Sequence, residues 1–289
     1  MIKKILAKMM LLTLLILTCC LGTAGADTTS PIKKAPSSQT KVVNEYDMIK
    51  NLQSKTDEEL LSQGLKEDQI QTIRNIDIAQ EIYKIAKEDD ASLIERGYSP
   101  DKIAIIRNFN GTEEQVRALS ATLTITASMS MSYYSSTNTT NTIINYNWSW
   151  NQMPNFTYQD IVAIAWDPSM YQSNNWQTHD IQYSEWYYSN NQYSYTAQTT
   201  SLDPQSPGHG AKTIFSTGKK DGTMTLYTKR GYGHVSLTKS GYMPEAAAQV
   251  YYGHNQLSVT PSVSFPGGIS VSFSWSVNDE GSAYVYATP

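Results

Sequence analysis

From Ala121 onward the apolar residues of this chain recur at every second position. Leu123, Ile125, Ala127, Met129 and Met131 alternate with Thr and Ser. The same period appears at Tyr146-Trp148-Trp150, Met224-Leu226, Val235-Leu237 and Leu257-Val259, and again from Ile269 through Val277 and at Tyr284-Val285-Tyr286. Successive side chains of a strand point to opposite faces, so each run specifies a strand with one buried and one solvated face. Turn residues separate the runs: Asn-rich 138–141, Asn190-Asn191, Pro207-Gly208, Lys220-Asp221-Gly222, Pro266-Gly267-Gly268 and Glu280-Gly281. Asp221-Gly222 predicts a hairpin turn. The pattern predicts about nine or ten antiparallel strands closed as a sandwich or barrel. Ile161 to Trp166 is apolar on both faces and is expected at the centre of its sheet.

Before Ala121 the period is helical. Ile70 and Ile73, then Ile78, Ile82 and Ile85, recur at helix spacing, and Thr56 with Glu59 reads as a capping box. Gly64 can close that helix. A repeat with an offset of 33 relates Gly64–Ile70 and Ile73–Asp77 to Gly97–Ile103 and Ile106–Asn110, the second copy opening on Ser99-Pro100, an N-cap followed by proline. The two halves also differ in charge. Residues 27–120 carry 17 acidic and 13 basic side chains; residues 121–289 carry 9 and 6, together with all six Trp and 17 of the 20 Tyr. The fold expected is therefore α+β and multidomain: a small helical module over 43–120, then an antiparallel all-β sandwich over 121–289. Residues 27–42, poor in apolar side chains, read as a disordered leader. The helix-turn-helix spacing does not point to nucleic acid, because the segment is net acidic and shows no basic face.

The first 26 residues read as an export signal, with Lys3, Lys4 and Lys8, an apolar run from Met9 to Leu17, and the small pair Ala24 and Ala26 before Asp27. The expected location is outside the cell. A lipid on Cys19 or Cys20 is the other reading of this segment; Thr18 and Cys19 precede those cysteines and suit that processing less well. Both cysteines lie within the signal, so the mature chain has none and must be held by an apolar core rather than by disulfides.

No phosphate loop, zincin helix, nucleophile elbow or redox cysteine pair is present. No cofactor is implied and an enzyme is not the leading reading. Tyr232-Gly233-His234 and Tyr252-Gly253-His254 match and are each expected to open a strand, and His209 also follows a glycine. These three histidines are the candidate metal ligands, or one of them pairs with Asp180 or Asp203 for acid–base work. Asp160, Asp167, Asp180 and Glu185 are the carboxylates from which a hydrolytic pair would be drawn.

Trp176, Trp186, Tyr187 and Tyr188 crowd a Gln/Asn/Ser-rich stretch and exceed what a sandwich core can hold. Exposed Trp and Tyr suit stacking on sugars or a lipid interface. The six basic residues after 121 fall between Lys212 and Lys239, and Lys219 and Lys220 sit at the expected hairpin tip. Such a patch suits an anionic cell-wall polymer or lipid headgroup, and it equally suits edge-strand protection. Residues 122–150, with long Ser/Thr alternation about a polar turn, resemble the membrane-inserting hairpin of aerolysin-like β-pore-forming toxins; Tyr133-Tyr134 and Ile143-Ile144 interrupt the pattern. The resemblance implies a pore lined by Ser and Thr. The helical repeat with the Tyr-Gly-His region is also similar to secreted Gram-positive proteins of no established activity. Three functions follow: a non-catalytic binder of a cell-wall polymer, glycan or lipid; a membrane-active toxin; or a glycan hydrolase.

Overall fold

The computed structural model describes residues 37–62, 65–187, 192–205, 209–221, 224–255, 263–267, 270–273 and 282–289. It excludes the side chains of 172–196, 205, 219–221, 224–225, 263–267 and 270–273. The described chain is mixed α+β and forms one compact unit. It opens with strand β1 (Ser38–Asn44). Seven short helices follow: α1 (Glu45–Ser54), α2 (Asp57–Ser62), α3 (Glu67–Arg74), α4 (Ile78–Ile85), α5 (Asp90–Glu95), α6 (Pro100–Arg107) and α7 (Glu113–Leu119).

Helices of six to ten residues are marginal alone and need caps and packing. Most of these have both. Asn44, Asp77, Asp89, Ser99 and Thr112 each accept a backbone N–H of the helix they open. Thr56 and Glu59 form the reciprocal box at 3.1 and 2.7 Å. Arg74 donates to the carbonyls of Gln53 and Lys55 and to Asp57; Arg107, 33 residues on, donates to the carbonyls of Ala86 and Glu88 and to Asp90. The buried pairs Leu60 and Leu93, Leu65 and Tyr98, Ile70 and Ile103, and Ile73 and Ile106 share the same offset. Gly64 lies outside the described residues.

The strands after α7 are β2 (Thr122–Tyr134), β3 (Thr139–Trp150), β4 (Gln159–Trp166), β5 (Tyr171–Tyr187), β6 (Gln192–Thr200), β7 (Asp203–Gln205), β8 (Gly210–Ser216), β9 (Gly218–Asp221), β10 (Met224–Ser240), β11 (Ala246–Gly253), β12 (Val263–Gly267), β13 (Ser270–Phe273) and β14 (Ser282–Ala287). One seven-stranded sheet runs β1-β2-β3-β10-β5-β6, with β9 also on β10; a five-stranded sheet runs β14-β11-β4-β8-β7; β12 and β13 pair separately. All pairings in these sheets are antiparallel.

The two larger sheets share one core. Leu123, Ile125, Met129, Tyr146, Trp148 and Trp150 from the first meet Val162, Ile164, Trp166, Val250, Tyr252 and Val285 from the second. Trp148 stacks on Phe215 at 5.2 Å between ring centroids and meets Tyr252 edge-on at 4.8 Å. The Trp148 ring also lies against Gly231, its register partner on β10; a Cβ there would sit 2.5 Å from the indole. Strand β4 is flanked on both sides and buried from Asp160 to Trp166, as its unbroken apolar run requires.

Four expectations change. Residues 38–42, read as leader, are part of β1: they pair with Ser128 to Thr124, Thr40 and Thr126 touch through their hydroxyls at 3.0 Å, and Val43 beyond them is buried. Met224-Leu226 and Val235-Leu237 belong to the single 17-residue strand β10. His234 therefore lies inside a strand rather than opening one, and His254 follows the end of β11. The turn read at 138–141 lies earlier, at 135–138, where Asn138 takes the left-handed conformation (φ 48°) that asparagine tolerates. Asp221 pairs with Met224 as a hairpin would place it, and Gly222 is outside the described residues.

Candidate functional site

The inward residues of β2 and β3 are buried, so the intervening ones form the outward face of the large sheet. On β3 these are Asn141, Ile143, Asn145, Asn147 and Ser149. Against them β10 sets Thr238, Ser236, His234, Tyr232 and Arg230 in register. Thr238 donates to Asn141 Oδ1 at 3.1 Å. A shallow cleft of about 650 Å³ opens on this face, lined by Tyr134, Asn141, Thr142, Ile143, Asn145, His234, Ser236, Leu237 and Thr238. Among the described residues its lining contains no Lys, Arg, Asp or Glu. Ile143 is 42 % exposed and Tyr134 50 %; beyond the cleft, Tyr232 is 48 % exposed, and Tyr171, opposite Thr238 on β5, is 59 % exposed. Exposed rings among neutral donors and acceptors can stack on an apolar ring face and hydrogen-bond its hydroxyls.

The inward side holds a different cluster. Glu45, Asp160 and His254 come from α1, β4 and the residue after β11, and all three side chains are fully buried. His254 Nδ1 lies 3.0 Å from Asp160 Oδ2, and Nε2 lies 3.4 Å from Glu45 Oε1. Burial opposes a charge on the imidazole and is the largest single influence. The carboxylates of Asp160 and then Glu45 outweigh it, and the pKa is pushed up to about 10. The ring is therefore an imidazolium that donates to both carboxylates at neutral pH.

The remaining acceptor capacity is filled. Asp160 accepts from Tyr252 at 2.6 Å and from the Asn255 amide at 3.0 Å; Trp150 donates to the Tyr252 hydroxyl at 3.0 Å. Glu45 accepts from the Asn155 amide and side chain and from the Phe156 amide, at 2.8 to 3.1 Å. Burial, then Asp160, raises the Tyr252 phenol well above its ordinary value. A carboxylate–imidazole pair of this kind resembles acid–base machinery, but every member is sealed. The cluster binds α1 to β4 and to the end of β11, and among the described residues it leaves no opening for a substrate.

The histidines read as candidate metal ligands are separated. His254 is enclosed in the core, His234 lies on the outward face, and His209 precedes β8, its buried Nδ1 without a hydrogen-bond partner among the described residues. Among the described residues no three His, Cys, Asp or Glu side chains are placed so that they could hold a metal ion. His254 takes Asp160 and Glu45 as partners, in place of the expected Asp180 or Asp203. The hydrolytic pair is not assembled from Asp160, which is sealed, and Asp167, which accepts from Ser169 at 2.7 Å; the side chains of Asp180 and Glu185 lie outside the described residues.

Of the expected ligand-binding residues, Trp176, Trp186 and Tyr187 fall on β5, which pairs with β10, and Lys219 and Lys220 fall on β9, opposite Leu226 and Thr225. Their side chains lie outside the described residues, as does Tyr188 altogether. Tyr134, Tyr171, Tyr232 and Ile143 were missed as surface candidates, although Ile143-Ile144 and Tyr133-Tyr134 were visible as interruptions of the alternation. Glu45 carried no signal, since it meets His254 across 209 positions of sequence. Among the described residues no helix is long and apolar enough to cross a membrane.

No family model and no curated protein matches the chain. Solved structures overlap with part of it at low identity. Clostridium perfringens delta-toxin aligns at 9% identity and a TM-score of 0.26 over 61% of this chain and 84% of that one. A structure described as a pore forming protein aligns at 7% and 0.25, over 58% and 84%. The collagen binding domain of Erysipelothrix rhusiopathiae surface protein RspB aligns at 8% and 0.23, over 58% and 66%. Overlaps this small carry neither the fold nor the activity of those proteins to this chain.

Proposed function

We propose that this is an extracellular, non-catalytic protein that binds a glycan through the outward face of its seven-stranded sheet. The observation that carries the reading is the cleft of Asn, Ser, Thr and His side chains, with no Lys, Arg, Asp or Glu among its described lining, beside exposed Tyr134 and Ile143, with Tyr171 and Tyr232 on the same face. Charged side chains would suit an ionic partner; a hydroxyl- and amide-rich cleft flanked by rings suits a polyhydroxylated one. Retention of the protein on a panel of immobilised neutral polysaccharides tests it. Retention that is lost in a Tyr134→Ala, Tyr232→Ala double variant is expected; no retention on any member of the panel contradicts the reading.

A toxin reading keeps one observation in its favour. Strands β2 and β3 are 13 and 12 residues long, enough for a tilted bilayer crossing of about 9–11 residues. Against it, β2 pairs with β1 from Thr122 to Ser128, and β3 pairs with β10 from Thr139 to Ser149. Release of this hairpin would pull Trp148 and Trp150 out of the shared core. Dye-filled liposomes separate the readings: intact vesicles are expected, and leakage accompanied by a detergent-resistant oligomer favours the toxin.

A further inference from the structure

The cleft on the outward face has an apolar side chain among its polar ones. Ile143 lines it and is 42 % exposed. Ser130 of β2 and Ser236 of β10 stand opposite Ile143 in register, with Cβ atoms about 5 Å away. Asn141 and Asn145 stand two positions along β3 on either side, about 7 Å away. A lone exposed isoleucine on an open strand surface is ordinary. This one is ringed by hydroxyls and primary amides in a concave lining, so a ligand that fills the cleft takes Ile143 out of water.

That ring of groups selects among the substituents a sugar can carry. A hydroxyl laid on Ile143 loses its water and gains no hydrogen bond there. A methyl laid on it gains apolar contact. The flanking asparagines each carry a carbonyl acceptor and an NH2 donor. Thr238 donates to Asn141 Oδ1 at 3.1 Å and so orients that amide. A methyl group attached to one C=O and one N–H is an acetamido group.

Two exposed rings set the length of the ligand. Tyr134 pairs with Thr139, four positions from Ile143 in one direction, and Tyr232 pairs with Asn147, four positions away in the other. Each interval is about 13 Å along the strand. The three side chains therefore follow an oblique line across β2, β3 and β10. One sugar ring does not reach from Ile143 to either tyrosine, so a ligand that touches all three is a chain of several rings.

We propose that the glycan bound by this face is a chain of N-acetylated sugars, with one acetamido methyl seated on Ile143 and rings stacked on Tyr134 and Tyr232. The inference rests on the glycan reading and names the sugar class within it.

The test is calorimetry on the full chain with three soluble probes: chitohexaose, chitobiose and cellohexaose, the last having the same linkage and no acetamido group. Chitohexaose is expected to bind more tightly than either of the others by about tenfold or more; this comparison requires no variant to fold. Ile143→Ser should then lower chitohexaose to the level of cellohexaose, with cellohexaose binding and the unfolding midpoint unchanged. Equal affinity for the two hexamers, or for chitobiose and chitohexaose, overturns the proposal, and so does a preference for chitohexaose that survives Ile143→Ser. Retention on a polysaccharide without acetamido groups, while chitohexaose does not bind, overturns it and leaves the glycan reading standing. No retention on any polysaccharide overturns both.

Discussion

The inward and outward faces of β2, β3 and β10 are made of alternate residues of the same strands, yet they obey different physics. Inward, Trp148, Trp150, Ile144 and Val235 are closed off from water, and Trp150 hands a hydrogen bond through Tyr252 to the sealed Asp160–His254–Glu45 cluster. Every polar atom there depends on its neighbours, so each side chain is held by the rest. Outward, Asn145, Asn147, Ser236 and Tyr232 face solvent and can change without disturbing the core. The difference teaches where to look for function in a β-layered chain. The most catalytic-looking group, a carboxylate-paired histidine, stands on the structural face, and the candidate for recognition is the plain polar face behind it.

The comparison is broken first at its strongest point. His254→Ala leaves two buried carboxylates without their cation, and removing one partner of a buried ion pair costs about 3–5 kcal/mol. Urea unfolding should show a loss of that size, with glycan retention surviving below the new midpoint. A loss within about 0.5 kcal/mol would mean that the cluster does not hold α1 to the sheets. Next in size is Gly231→Ala, which drives a methyl group into the Trp148 ring; overpacking of this kind costs about 1–3 kcal/mol.

The pH profile sharpens the same contrast. His254 has a folded pKa of about 10 against 6.5 for an ordinary histidine, so the folded form binds the proton more tightly. Its contribution is complete below about 6.5, declines as pH rises, and is gone above about 10. Thermal midpoints of the wild type should fall through that window, and those of His254→Gln should fall less. Equal slopes would show that His254 is not charged in the core. Smallest of all, Asn145→Ser on the outward face should shift stability by no more than about 0.5 kcal/mol, measured by the same unfolding curves.

Much of the architecture was legible because it rests on local chemistry. The period of two gave the inward residues of β2 and β3, and Thr56, Glu59 and Ser99 marked their helix starts through short-range caps. Residues 38–42 were misread because they carry a single large apolar side chain, Val42, and are ordered through pairing with β2, far along the chain. The sealed cluster was half legible. Asp160 and His254 stood out as types, but their partnership and the part of Glu45 depend on tertiary approach across 94 and 209 positions. The emphasis on Trp and Lys drew attention to β5 and β9, whereas the cleft is built from Asn, Ser, Thr and Tyr, whose composition looks like ordinary solvated surface.

The most direct test of the contrast is a paired measurement on the Tyr134→Ala, Tyr232→Ala variant. Its unfolding midpoint and its retention on a glycan that holds the wild type should be read from one preparation. The account predicts an unchanged midpoint with retention reduced by about tenfold or more, the loss expected when stacking rings are removed from a binding face. Undiminished retention by a folded variant would contradict it.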